Sequence, residues 1–203
     1  MKHRWITERG LWLDSGEDTL ALNRMLQAAG LEELEALVPG DGSLLVVLKP
    51  GLAPGKELFH LLNSVRFGQE HETAGRCHDI PVIYGGEAGP DLVRVAEAAG
   101  LSVGQTIELH AGAKYQVAFL GFQPGFAYLN GTPQQLQINR RATPRMRVPA
   151  GSLALGGGYT GIYPGVSPGG WQLIGLTEEW LFDPYRNPPA RFAPGDWVRF
   201  VPK

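Results

Sequence analysis

A small α+β unit followed by a mainly-β barrel or sandwich is the fold class that three observations predict. Up to about residue 84, short apolar strands alternate with segments of helical period. Beyond residue 114 the chain reads as short strands broken by Gly and Pro. Between these regimes stands "YGGEAGP", a concentration of turn formers, so the boundary is placed at 83/84: residues 1–83 form the α+β domain and residues 84–203 the β domain.

In chain order, "ERGLWLDSG" reads as a strand ending in a turn. "DTLALNRMLQAAG" is a helix with Leu20, Leu22, Met25 and Leu26 on one face, closed by Gly30. "GSLLVVLKP" is a buried strand stopped by Pro50. "PGKELFHLLNSVRFG" is a second helix, opened by proline and ended by Gly68, and "HDIPVIYGG" completes the first unit as a further strand. In the second region, "DLVRVAEAAG" is a helix led by Asp91, and "SVGQTIELHAG" is another with Ser102 and Gln105 at capping-box spacing. The strands that follow are "KYQVAFLGF", "RMRVPAGSLALGGG", "YTGIYP", "WQLIGLT" and "DWVRFVP".

Composition bounds the function. With 203 residues, 43% of them hydrophobic and 19% charged, the chain can bury a core unaided. One cysteine, Cys77, excludes an internal disulfide framework and suits a reducing compartment, so the expected location is the cytoplasm. No apolar run reaches the length of a membrane span. The five histidines show no metal-ligand spacing. His110, near a helix C-terminus where positive charge is favoured, is the one to watch.

Charge is segregated. Between residues 108 and 178 there is no carboxylate side chain, while Lys114, Arg140, Arg141, Arg145 and Arg147 are positive. A basic face on a chain of net charge −2 favours a small anionic ligand or an acidic partner surface. Nucleic acid is disfavoured, because no recognition-helix, zinc-finger or aromatic RNA-binding signature accompanies it.

The densest stretch, "RRATPRMRVPAGSLALGGGYTGIYPGVSPGG", combines four arginines with eight glycines. Its glycines are expected to make tight barrel corners and to leave backbone N–H groups free at one rim. Arg140, Arg141 and Arg145 are the candidate anion-binding residues, each offering a planar fork of donors. The competing reading is a solvated loop, or pairing with a carboxylate of the N-terminal half. Arg145 and Arg147 alternate with Met146 and Val148, which places the arginines on one strand face and an apolar pair on the other. Gln123, polar among apolar neighbours, and Tyr128 and Tyr163, whose hydroxyls need partners, join the candidate set, although aromatic residues in a barrel are more often core. Catalytic residues are not identifiable. Gly156, Gly157 and Gly158 lack the Lys-Ser/Thr of a phosphate-binding loop, and no Gly-x-Ser-x-Gly elbow is present.

The strings "YGGEAGPDL", "LGFQPGFAYL", "RRATPRMRVPAGSLALGGGYTGIYPGVSPGGWQLIG", "LFDP" and "APGDWVRFVP", in this order, resemble the family of the 5-oxoprolinase B subunit, which also includes the sporulation-kinase inhibitor KipI and allophanate hydrolase subunit 1. The N-terminal half is a looser match, with "VVLKP" where the family commonly carries Asp-Pro. The resemblance implies that the second domain is a cyclophilin-like β-barrel. It also implies one subunit of an ATP-dependent complex that opens 5-oxo-L-proline to L-glutamate with subunits A and C, the chain being inactive alone. ATP is then used by the complex, since this chain has no nucleotide motif. Ring opening of an unstrained lactam is slow; phosphorylating the amide oxygen makes a better electrophile, and such chemistry needs cations at phosphate or carboxylate oxygens. Alternatives within the same resemblance are a KipI-like inhibitor, whose partner is a histidine kinase, and a carboxyltransferase component like allophanate hydrolase subunit 1.

Overall fold

A computed structural model describes residues 1–64 and 75–203. The chain divides into two units, Met1–Ala74 and Gly75–Lys203. The first contains β1 (His3–Trp5), β2 (Gly10–Asp14), α1 (Thr19–Ala29), β3 (Leu34–Gly40), β4 (Ser43–Leu48) and α2 (Lys56–Ser64). Its strands form one antiparallel sheet in the order β1-β2-β4-β3. Leu44, Val46 and Leu48 point inward at alternate positions of β4, as the two-residue period of a strand requires. They meet Leu22 and Leu26 of α1 and Leu58 and Leu62 of α2 in a single apolar cluster. Gly30 ends α1 in the left-handed conformation that a Cβ disfavours. Gly68, the expected end of α2, and His71 lie outside the described residues.

The second unit begins with β5 (Cys77–Tyr84), then α3 (Leu92–Ala99), α4 (Val103–Ala111), β6 (Tyr115–Leu120) and β7 (Ala127–Asn130). It continues with β8 (Arg145–Val148), β9 (Ser152–Gly156), β10 (Tyr159–Ile162), β11 (Ser167–Gly169), β12 (Gln172–Leu176) and β13 (Trp197–Pro202). Seven of these strands close a barrel in the order β10-β7-β6-β13-β5-β12-β9, and β9 pairs back onto β10. Strands β8 and β11 form a separate two-stranded ribbon.

Two expectations change here. The strand "HDIPVIYGG" reads from sequence as the end of the first unit, yet β5 is a barrel strand, parallel to β13 from Cys77 opposite Trp197 to Val82 opposite Pro202, and antiparallel to β12. The division therefore falls at 74/75 and not at 83/84. The cause is tertiary: Ile80 and Val82 are fully buried in the barrel core, and their partner strand is some 120 residues away in sequence. The second change concerns "RMRVPAGSLALGGG", which is two strands, because Pro149 and the positive φ of Gly151 break it into β8 and β9.

The barrel core joins Ile80, Val82, Tyr115, Val117, Leu129, Leu153, Leu155, Ile174, Val198 and Phe200, with Leu92 and Val95 of α3 laid against it. Helix α4 starts with the predicted capping box: the Gln105 N–H donates to Ser102 Oγ and the Ser102 N–H to Gln105 Oε1. No helix among the described residues is long and apolar enough to cross a membrane.

Candidate functional site

A second, smaller cluster decides where the candidate residues meet. Phe126, Val148, Ala154, Tyr163, Trp171 and Leu173 are buried together, with Tyr128 and Tyr159 packed against them. The rings meet mostly edge to face: Phe126 lies 5.3 Å from Tyr163 and 5.4 Å from Trp171, and Tyr128 lies 5.1 Å from Phe126. Such edge-to-face pairs add to area burial because the positive ring edge meets the negative face.

The glycines of the arginine-rich stretch serve this packing. A Cβ at Gly156 would run into the Trp171 indole, and one at Gly169 into the Tyr163 hydroxyl. The expected rim of free N–H groups does not form around the glycine run: Gly156 is buried, and the Gly157 N–H donates to the Ile138 carbonyl at 2.9 Å.

The arginines split into two kinds. Arg141 and Arg145 converge on Asp91, which is only 5% exposed. Arg145 Nη2 donates to Asp91 Oδ1 at 2.8 Å and Arg141 Nη1 to the same oxygen at 3.3 Å, while Oδ2 accepts the Leu173 N–H at 2.7 Å. Local sequence marks Asp91 only as a helix start, but the competing reading, pairing with a carboxylate of the N-terminal half, is the one that Arg141 and Arg145 follow, and the fold decides that the carboxylate is Asp91. Each arginine keeps a buried donor, Arg141 Nε and Arg145 Nη1, with no hydrogen-bond partner among the described residues. Two guanidinium charges against one carboxylate leave the trio net positive.

Arg140 is different. It is exposed and its guanidinium stands over the Trp171 ring, 5.5 Å from the centroid. Arg147 is exposed too, and the expected two-faced strand fails: Met146 is 87% exposed and only Val148 turns inward. Only the end of the ribbon at Val148 reaches the buried cluster, and Met146, two residues away on the same face, is at solvent.

The remaining candidates gather around the same rings. Tyr163 is buried, and burial holds its hydroxyl above the usual tyrosine range, against the opposing pull of the Trp171 backbone N–H and of the Arg140 and Arg145 charges. Tyr128 is half-buried and stacks on Phe119 at 4.3 Å. Gln123 ties two loops, its Nε2 donating to the Gly165 carbonyl at 3.5 Å, the long limit of a hydrogen bond. Two cavities of about 690 and 630 Å³ open elsewhere on this unit, and neither is lined by these residues.

His110 is not part of the site. It is fully buried beside the rings of Tyr115 and Phe200, and its Nδ1 shares a hydrogen bond with the Tyr84 hydroxyl at 2.8 Å. Burial pushes its pKa down to about 3, so it is a neutral core residue and not the helix-end cation expected.

Comparison with known proteins places this arrangement among relatives. The carboxyltransferase domain, subdomain C and D, is matched over residues 6–192. The 5-oxoprolinase B subunit of Escherichia coli O157:H7 is 48% identical over 169 residues, covering 82% of this chain and 77% of the relative. That of Haemophilus influenzae is 51% identical over 127 residues, covering 63% of this chain and 60% of the relative. Among solved structures, the crystal structure of TTHA0988 superposes with a TM-score of 0.81 at 38% identity. It covers 96% of this chain, while the chain spans only 40% of that protein's length.

Proposed function

Because the chain belongs to the family of the carboxyltransferase domain, subdomain C and D, we propose that it acts as the B subunit of an ATP-dependent 5-oxoprolinase, opening 5-oxo-L-proline to L-glutamate together with subunits A and C. The proposed setting is cytoplasmic, in keeping with a single free cysteine. The observation that carries the reading is the cationic edge of the aromatic cluster. Arg140 lies exposed over Trp171, and Arg141 and Arg145 beside it hold donors that their shared Asp91 does not satisfy.

5-Oxoproline offers one carboxylate on a five-membered lactam. The carboxylate pairs with Arg140, and the flat ring lies along the aromatic edge. Holding the substrate by its carboxylate leaves the lactam carbonyl free for chemistry supplied across the complex. ATP belongs to the assembled enzyme, since this chain carries no nucleotide motif. Turnover is accordingly a property of the complex, and this chain contributes binding and orientation.

The test is Arg140→Ala in the reconstituted A–B–C complex. Loss of the anion partner should lower 5-oxoproline-dependent ATP hydrolysis by about tenfold or more, equivalent to about 1.4 kcal/mol. Co-elution of the three subunits is the control for assembly and should be unchanged. Parental turnover by an assembled Arg140→Ala complex would move the substrate site away from this cluster.

A further inference from the structure

Phe122 is the one non-glycine residue among those described with a positive φ, at +68°. The Gln123 N–H donates to the Gly121 carbonyl at 2.8 Å, closing a γ-turn around Phe122 of the hand that L-residues rarely adopt. The turn is held in place: the Gly121 N–H donates to the Phe126 carbonyl at 3.1 Å, the Phe126 N–H to the Gln123 carbonyl at 3.0 Å, and Gln123 ties the loop to Gly165. Glycines stand nearby at 121 and 125, yet the strained position carries a phenylalanine. Burial does not account for it, because the residue is 61% exposed.

What the strain accomplishes is placement. The Phe122 ring meets Phe126 edge to face at 5.4 Å and Tyr163 at 6.1 Å, so it stands as an exposed lip on the buried ring cluster. Phe126 contacts Trp171, and Trp171 carries Arg140, which puts an apolar lip and an exposed cation on the same set of packed rings. Strain of this kind persists only where the surrounding structure holds the turn, as these hydrogen bonds do, and it clusters where a side chain is presented for function.

We propose that Phe122 is a specificity-determining residue, its exposed ring forming the apolar wall against the ring face of the anionic substrate whose carboxylate Arg140 binds. This inference rests on the assignment of Arg140 to the carboxylate. A cyclic substrate gains contact along the Phe122 ring, and an open-chain anion of the same charge does not. Selection by shape is thereby added to selection by charge.

Two variants separate presentation from folding. Phe122→Ala and Phe122→Gly both remove the ring, but only glycine relaxes the turn, because its φ is unrestricted. In the A–B–C complex both should raise the KM for 5-oxoproline about tenfold with a smaller change in kcat, and Phe122→Leu should recover part of the loss. In the chain alone, Phe122→Gly should melt at a higher temperature than Phe122→Ala. An unchanged KM in both variants, with Arg140→Ala still impaired, overturns the role of Phe122 and leaves the arginine assignment standing. An unchanged KM in Arg140→Ala as well overturns both. A Phe122→Gly chain that melts below Phe122→Ala overturns the argument from strain.

Discussion

Asp91 does more at the residue scale than any other side chain near the candidate site. Its Oδ1 gathers two guanidinium groups while its Oδ2 takes the Leu173 N–H, and its own N–H donates to the Leu173 carbonyl at 2.9 Å. One carboxylate thus joins the start of α3, the edge of β12 and the arginines that follow β7. Asp91→Ala should leave a buried N–H unsatisfied and two arginines without their anion. Removing one partner of a fully buried pair costs about 3–5 kcal/mol, and these arginines are about a quarter exposed, so about 2–4 kcal/mol is expected. The urea midpoint of the variant measures it, and a loss below about 0.5 kcal/mol would reduce the trio to a surface ion pair.

At the scale of elements, the last turn of α4 buries one residue in the barrel unit although the helix's C-cap, Gly112, is exposed. The capping box starts the helix at Ser102, and the last turn delivers His110 into the core beside Tyr115 and Phe200. This placement has a pH signature. The native state holds His110 neutral down to about pH 3, whereas the unfolded chain takes up the proton near pH 6.5. Its contribution to stability is complete above about pH 6.5 and is lost as pH falls from there toward 3, at up to about 1.4 kcal/mol per unit. His110→Gln should flatten that segment of the stability-against-pH curve measured by denaturant unfolding. An unaltered slope would mean that His110 takes up its proton while folded.

On the scale of the whole molecule, each of the two units carries its own apolar cluster. The barrel is closed by hydrogen bonds among strands that all lie in Gly75–Lys203, so no sheet edge of the barrel is left to be completed by the first unit. Residues 75–203 expressed alone should therefore unfold in one cooperative transition with native far-ultraviolet and near-ultraviolet dichroism. A fragment starting at residue 84, the boundary that turn formers suggest, should fail that test because it lacks β5 and leaves β12 and β13 unpaired across the gap. Equal folding of the two fragments would show that β5 is dispensable to barrel closure.

Much is legible in the sequence wherever a near neighbour supplies the cause. Helix α1 follows from leucines at helical spacing and a terminal glycine, α4 from Ser102 and Gln105 three residues apart, and the barrel strands from short apolar runs broken by Gly and Pro. The concentration of positive charge between residues 108 and 178 is equally plain, and it marks the arginines that the fold brings to the ring cluster. Only the tertiary structure decided which partners those residues take. Periodicity along a strand states that one face is buried but not which strand lies beside it, so β5 could be matched to β13 only once the barrel closed. Spacing likewise cannot pair Asp91 with Arg145, because a contact across 54 residues is set by how strands pack and not by local conformation.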